Sequence, residues 1–149
     1  MVTIPKDFRE FIELLNAHEV DYVVVGGYAV AFHGAPRFTG DIDIFVAPTE
    51  ANPDRIVAAL VDFGFSRDDL HPEDFRKPDM VVQFGIPPLR IDVLTTIDGL
   101  LWDEIAPHVI VGRLDELSVR FIGLDELVRN KKASGRPKDL ADVEALGGL

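Results

Sequence analysis

Three aspartates in two apolar segments are the residues best suited to chemistry. Asp41 and Asp43 lie in DIDIFV (residues 41–46), and Asp92 lies in LRIDVL (residues 89–94). Because side chains alternate between the faces of a strand, Asp41 and Asp43 share one face. Neighbouring carboxylates repel each other and are unfavourable to bury. A positive group is therefore expected between them, most simply a divalent cation held by carboxylate oxygens.

Asp92 considered alone has a second interpretation. Period two puts Arg90 on the same strand face as Asp92, and an ion pair with this or another arginine explains a lone acid about as well as a metal does. With Asp41 and Asp43 as neighbours, convergence of three acids on one cation cluster becomes the better interpretation.

The elements that must position these acids alternate between helix and strand signals. Helices are predicted at 5–17, 28–33, 52–64, 97–105, 124–133 and 138–146, with Asn52 as a cap and Pro53 at the first helical position. Strands are predicted at 22–25, 41–46, 80–84, 89–95, 109–111 and 118–122, the third and fourth as a hairpin-like pair. Residues 66–78 are predicted to form an exposed loop. The predicted class is α/β (α+β) with a mixed sheet.

Composition limits the kinds of protein this chain can be. Its 149 residues predict a single domain, 1–149. A net charge of −11 argues against non-specific coating of nucleic acid. The absence of cysteine excludes zinc–thiolate and thiol chemistry. There is neither an apolar run of membrane length nor a signal-peptide pattern, so a cytoplasmic protein without membrane contact is expected.

Several segments resemble a known family. VVVGGYAVAFHG, PRFTGDIDIFV, PPLRIDVLTTIDG and NKKASGRPKDLADVEAL are similar to small bacterial nucleotidyltransferases of the DNA polymerase β-like superfamily, akin to the abortive-infection (toxin–antitoxin) type. The resemblance covers nearly the whole chain. It implies a polymerase β-like fold whose C-terminal helices close the cleft. Gly27 departs from the Gly-Ser turn of many relatives, and the spacer from Tyr28 to Gly40 is long.

The resemblance also implies a mechanism. Asp41, Asp43 and Asp92 would hold two Mg²⁺ ions (Mn²⁺ possible), with Asp92 on the acceptor side and a candidate base. An acceptor oxygen would attack the α-phosphate of a nucleoside triphosphate such as ATP, and pyrophosphate would leave. The candidate nucleotide contacts are Gly26, Gly27, Arg37, Thr39, Arg90, Lys131 and Lys138. Helix-end lysines have a second explanation, since they complement the helix dipole.

Three functional hypotheses remain open at this point. The first is an active metal-dependent transferase acting on a small molecule, a tRNA end or a protein hydroxyl, with a partner chain or a homodimer completing the acceptor site. The second is an inactive nucleotidyltransferase-fold module, antitoxin-like, that docks a partner. The third is structural: the three acids merely pair with arginines.

Overall fold

The computed structural model describes residues 4–35, 39–85 and 89–147. In these ranges the helices are α1 (Lys6–Ala17), α2 (Gly26–Phe32), α3 (Asn52–Phe63), α4 (Trp102–Ile105), α5 (Leu124–Ser134) and α6 (Pro137–Ala145). The strands are β1 (Tyr22–Val25), β2 (Asp41–Val46), β3 (Val81–Phe84), β4 (Arg90–Leu94), β5 (Ile110–Leu114) and β6 (Leu117–Phe121). Single turns of 3₁₀ helix lie at Arg67–Asp69, Pro72–Phe75 and Ala106–His108.

The strands form one mixed sheet in the order β3-β4-β2-β1-β6-β5. The central strand β2 is antiparallel to β1 and parallel to β4. In the β2–β4 register Asp43 lies opposite Asp92 and Asp41 lies opposite Arg90. The predicted mixed α/β class and the β3–β4 hairpin are therefore confirmed, and the two acidic segments are direct neighbours.

Helices α1 and α3 cover the apolar face of this part of the sheet. Phe11 of α1 and Phe63 of α3 contact Phe84 of β3, with ring centroids 5.1 and 5.6 Å away. Ile42 and Ile44 are fully buried. Because alternate residues on a strand face opposite ways, burial of the isoleucines under the helices turns the aspartates of β2 to the other face.

Two predicted helix boundaries are wrong. Helix α2 starts at Gly26, directly after β1, rather than at Tyr28. The predicted helix over 97–105 forms only at Trp102–Ile105, because Ile97 and Leu100 pair instead in an isolated antiparallel bridge. That bridge turns the chain after β4 before the helix can begin.

The sequence predicted Asn52 as a helix cap, and this prediction is also wrong. Ala51 occupies the N-cap position of α3. The Asn52 side chain accepts from the Asp21 amide at 2.7 Å and donates to the carbonyls of Asp21 and Ala47 at 3.0 and 2.8 Å. This buried amide connects the start of α3 to the start of β1 and the end of β2, where it satisfies backbone groups that would otherwise lack partners.

Within the part of the chain that the structure describes, none of the helices combines the length and apolar character needed to cross a bilayer.

Candidate active site

The sequence-predicted site residues meet in one pocket. Its volume is about 400 Å³, and it opens on the face of the sheet opposite α1 and α3. The predicted residues that line it are Gly26, Gly27, Thr39, Asp41, Asp43, Arg90, Asp92, Lys131 and Lys138. The predicted phosphate contact Arg37 lies outside the described residues. Residues of α5 and α6 form one wall, so the C-terminal helices border the cleft as predicted.

Asp43 and Asp92 form the centre of the pocket. They are paired across β2 and β4, and their carboxyl groups share a hydrogen bond. Burial, the negative charge of Asp92 and this hydrogen bond raise the pKa of Asp43 to about 6. Burial also raises the pKa of Asp92, against the opposing charge of Arg90. Asp43 and Asp92 are thus neighbouring carboxyls whose ionisation is opposed by burial and incompletely offset by positive charge.

Arg90 partly supports the structural interpretation of the acids. Its Nη2 donates to Asp41 Oδ2 at 3.0 Å, whereas its Nε lies 3.8 Å from Asp92 Oδ1. The arginine therefore binds the acid across the strand more tightly than the acid two residues along its own strand. Asp43 shares its hydrogen bond with Asp92 rather than with an arginine.

The pocket fits a divalent cation incompletely in this conformation. Across residues 4–35, 39–85 and 89–147, no group of three or more acidic or histidine side chains has the arrangement of a metal site. Asp92 is 8% exposed, and its Oδ1 is buried with no hydrogen-bond partner among the described residues. Adjacent hard oxygen ligands with an unsatisfied atom suit Mg²⁺. Asp41 would join Asp43 and Asp92 on release from Arg90.

Gly26 allows the backbone to approach the acidic pair. Its φ is +67°, and a Cβ at this position would overlap Asp43 Oδ2. A side chain here would strain the left-handed backbone and force the Asp43 carboxylate to move. The chain passes from β1 into α2 directly beside Asp43, and Gly27 follows in the same pocket wall.

Lys131 is held by acids of α6 rather than projecting from the end of α5. It is 5% exposed, and its Nζ lies 3.3 Å from Asp139 Oδ1 and 3.1 Å from Asp142 Oδ2. Its charge still lowers the pKa of Asp43. Burial would raise the pKa of Asp139, but the hydrogen bond from Arg136 and the charge of Lys131 lower it overall. Lys131 thus joins the two closing helices beside the acidic pair.

Thr39 and Lys138, which were also predicted as nucleotide contacts, lie in different surroundings. The Thr39 hydroxyl donates to the Asp41 backbone carbonyl at 3.1 Å, which supports the start of β2. Lys138 is exposed at the pocket edge, near the N-terminus of α6.

Further pocket residues were not predicted as site residues. Arg136 lines the pocket, and its pKa is raised by a hydrogen bond to Asp139 and by the charges of Asp98 and Asp43. Asp98 accepts from Ser134 at 2.8 Å. Arg136 lies in a short basic segment, residues 129–138, which holds five lysines and arginines and no acid (Arg129, Lys131, Lys132, Arg136 and Lys138). That segment was the sequence signal for Arg136, whereas Asp98 carried no spacing signal because its position depends on the bridge before α4.

Comparison with known proteins supports the fold. No protein-family model matches the chain, and no curated protein matches it. Among solved structures, the chain is similar to a Thermotoga maritima protein described as a "putative nucleotidyltransferase", with 17% identity and a TM-score of 0.59. The match covers 93% of this chain and 87% of that one. At this identity the likeness concerns the fold. The chain therefore has a mixed α/β nucleotidyltransferase fold.

Proposed function

We propose that the protein is a metal-dependent nucleotidyltransferase. It would transfer a nucleoside monophosphate from a nucleoside triphosphate to an acceptor hydroxyl and release pyrophosphate. The observation that carries the proposal is the pairing of Asp43 with Asp92 on adjacent strands of this fold, beside Gly26. The raised pKa of Asp43 and the Oδ1 of Asp92, which has no hydrogen-bond partner among the described residues, support the proposal, because both indicate carboxyl groups with too little positive charge nearby.

Asp43 and Asp92 are the proposed primary metal ligands, with Asp41 as the third. Bound magnesium there would neutralise phosphate charge and lower the pKa of the acceptor hydroxyl. The pKa of Asp43, about 6, leaves this carboxyl ionised at neutral pH and available as a ligand. Hard oxygen donors of this kind match Mg²⁺ or Mn²⁺.

The chemical step needs little covalent participation by the protein. The acceptor oxygen forms a bond to the α-phosphorus while the bond from that phosphorus to the bridging oxygen breaks, so pyrophosphate leaves with the electron pair. The acceptor proton passes to Asp92 or to water. The pocket's contribution is orientation and electrostatic stabilisation.

The triphosphate would lie against the wall formed by α2, α5 and α6. Gly26 and Gly27 expose backbone there without side chains, and Arg136 and Lys138 add positive charge. The Arg136 side chain is 63% exposed although it is bonded to Asp139, so its guanidinium has free donors. Charge-assisted hydrogen bonds from such groups are the strong ones in phosphate recognition.

We propose three classes of acceptor: a small molecule, a tRNA end or a protein hydroxyl. Membership of a toxin–antitoxin pair, with a partner chain or second subunit completing the acceptor site, belongs to the same proposal. The strongly acidic surface favours a cationic small molecule or a protein over tRNA. The basic segment 129–138 is the feature that favours tRNA.

The test is transfer of label from each of four α-³²P nucleoside triphosphates, with Mg²⁺ and a bacterial extract. RNA, protein and small-molecule fractions are counted separately. We expect label in one fraction, and a loss of at least about 100-fold in Asp43→Asn and Asp92→Asn, since changes to residues that only hydrogen-bond to metal ligands already remove about 10- to 100-fold.

Asp103→Asn is the matched control, because Asp103 is exposed and does not line the pocket. Wild-type protein that labels nothing with any nucleotide would refute the proposal and leave the partner-docking hypothesis. Equal transfer by Asp92→Asn and wild type would refute the assignment of the site.

A further inference from the structure

We propose that Arg90 is a built-in counter-ion that a divalent cation must displace from Asp41 and Asp92. This inference rests on the proposed function, in which these acids are metal ligands. Arg90 therefore keeps the free protein's affinity for metal low, and variants without a cation at position 90 bind metal more tightly.

The register of the sheet puts Arg90 between the two acids. It lies opposite Asp41 across β2 and β4, and two residues before Asp92 on the same strand face. Its Nη2 is 3.0 Å from Asp41 Oδ2, and its Nε is 3.8 Å from Asp92 Oδ1. One guanidinium thus lies within ion-pair range of two of the three proposed ligands.

The contact with Asp92 is poor, which makes the guanidinium displaceable. Arg90 Nε and Asp92 Oδ1 are both buried and have no hydrogen-bond partner among the described residues. A buried donor and a buried acceptor that each lack a hydrogen bond both destabilise the structure. A small cation, which binds carboxylate oxygens at about 2.0–2.6 Å, satisfies Asp92 better than a guanidinium at 3.8 Å.

Arg90 is only partly enclosed by the protein. Its side chain is 38% exposed, and its charged end can reach solvent or the pocket while its stem remains on the sheet. Lys131 and Arg136 have a different partner, since both are bonded to Asp139 on the opposite wall. Arg90 is the pocket cation that directly contacts Asp41 and Asp92 in the described residues.

The experiment measures Mn²⁺ binding without nucleotide, by counting free Mn²⁺ with electron paramagnetic resonance. Proteins compared are wild type, Arg90→Gln, Arg90→Met and Arg90→Lys. We expect Gln and Met at position 90 to tighten Mn²⁺ binding by about tenfold, as expected when a unit charge a few ångströms from the ligands is removed. The lysine variant keeps a cation and should remain within about threefold of wild type.

Two variants separate position from net charge. Arg136→Gln removes a cation from the same pocket, and Arg129→Gln removes an exposed cation that pairs with Glu104 outside the pocket. Both should leave the Mn²⁺ affinity within about threefold of wild type, because a charge further from the ligands acts more weakly. Thermal melting of every variant checks folding, and Met at position 90 serves as the second cationless variant if Gln unfolds.

Unchanged or weaker Mn²⁺ binding in both cationless variants would overturn the inference. Equal tightening in Arg136→Gln and Arg129→Gln would overturn it too, since the effect would then come from net charge. The proposed function can fail separately: tighter Mn²⁺ binding in Arg90→Gln without any nucleotidyl transfer by wild type would support the counter-ion and reject the enzyme.

Discussion

At the scale of single residues, Asp43 and Asp92 differ although both are acids on neighbouring strands. The pKa of Asp43 rises to about 6, whereas the positive charge of Arg90 opposes the rise at Asp92. Asp43 is thus the acid of the pair whose pKa departs further from its ordinary value. Ionisation of Asp43 in the folded protein is therefore unfavourable, and the stability of the protein must depend on pH.

The sign of that dependence gives a prediction for Asp43→Asn. In the unfolded chain Asp43 ionises near 3.8 and in the folded protein near 6, so wild type loses stability as pH rises between these values. The variant cannot ionise and avoids this loss, worth at most about 3 kcal/mol. Its stability advantage in metal-free urea denaturation should grow by about 2 kcal/mol from pH 4.5 to pH 8. An advantage that is absent or independent of pH would contradict this, and Asp103→Asn should show none.

At the scale of elements, the junction of β1 with α2 determines how close the backbone comes to the acids. Gly26 has a left-handed φ and faces Asp43, and a Cβ would meet the carboxylate. Gly34, just after α2, also has a positive φ of +109°, but a Cβ there would have no atom of the described residues within 4 Å. Substitutions at Gly26 and Gly34 therefore separate the effect of backbone strain from the effect of the clash with Asp43.

Gly26→Ala and Gly34→Ala should therefore differ. Both carry the strain of a side chain at positive φ, about 1–2 kcal/mol. Only Gly26→Ala also displaces Asp43, so we expect it to lose Mn²⁺ affinity and nucleotidyl transfer, whereas Gly34→Ala retains both. Thermal melting and Mn²⁺ binding measure the two effects. Equal Mn²⁺ affinity in the two variants would show that the contact with Asp43 is unimportant.

The features that the sequence predicted correctly depend on residues close together in the chain. Period two correctly put Asp41, Asp43 and Asp92 on polar strand faces, because burial of Ile42 and Ile44 forces that alternation. Pairing of the acids with arginines was one of the hypotheses left open, but the specific bond from Arg90 to Asp41 was not assigned, since it depends on cross-strand register. The partners of Asn52 and Lys131 were missed for the same reason: they lie on other elements.

At the scale of the whole molecule, Lys131 links the closing helices beside the site. Its ammonium lies between Asp139 and Asp142 of α6 with 5% of the residue exposed. Replacing one partner of a buried ion pair leaves uncompensated charge, which is far worse than losing a surface pair. The wall of the pocket and the stability of the fold therefore depend on the same lysine.

Lys131→Met should lower the free energy of unfolding by about 3 kcal/mol, because the buried carboxylates of Asp139 and Asp142 both lose their contact with its ammonium. Lys132→Met changes an exposed neighbour and should stay within about 0.5 kcal/mol of wild type. Urea denaturation at pH 7 measures both. Similar values for the two variants would show that the Lys131 contacts contribute little.

The pairing of β2 with β4 has a consequence for assembly of the chain. Moving either strand by one position would turn its carboxylates under α1 and α3 and expose its isoleucines or valines. Misaligned pairings are therefore unfavourable for two reasons: they bury negative charge without a partner, and they lose apolar packing. A molecule that has completed its interior has, by that step, also brought its acids together.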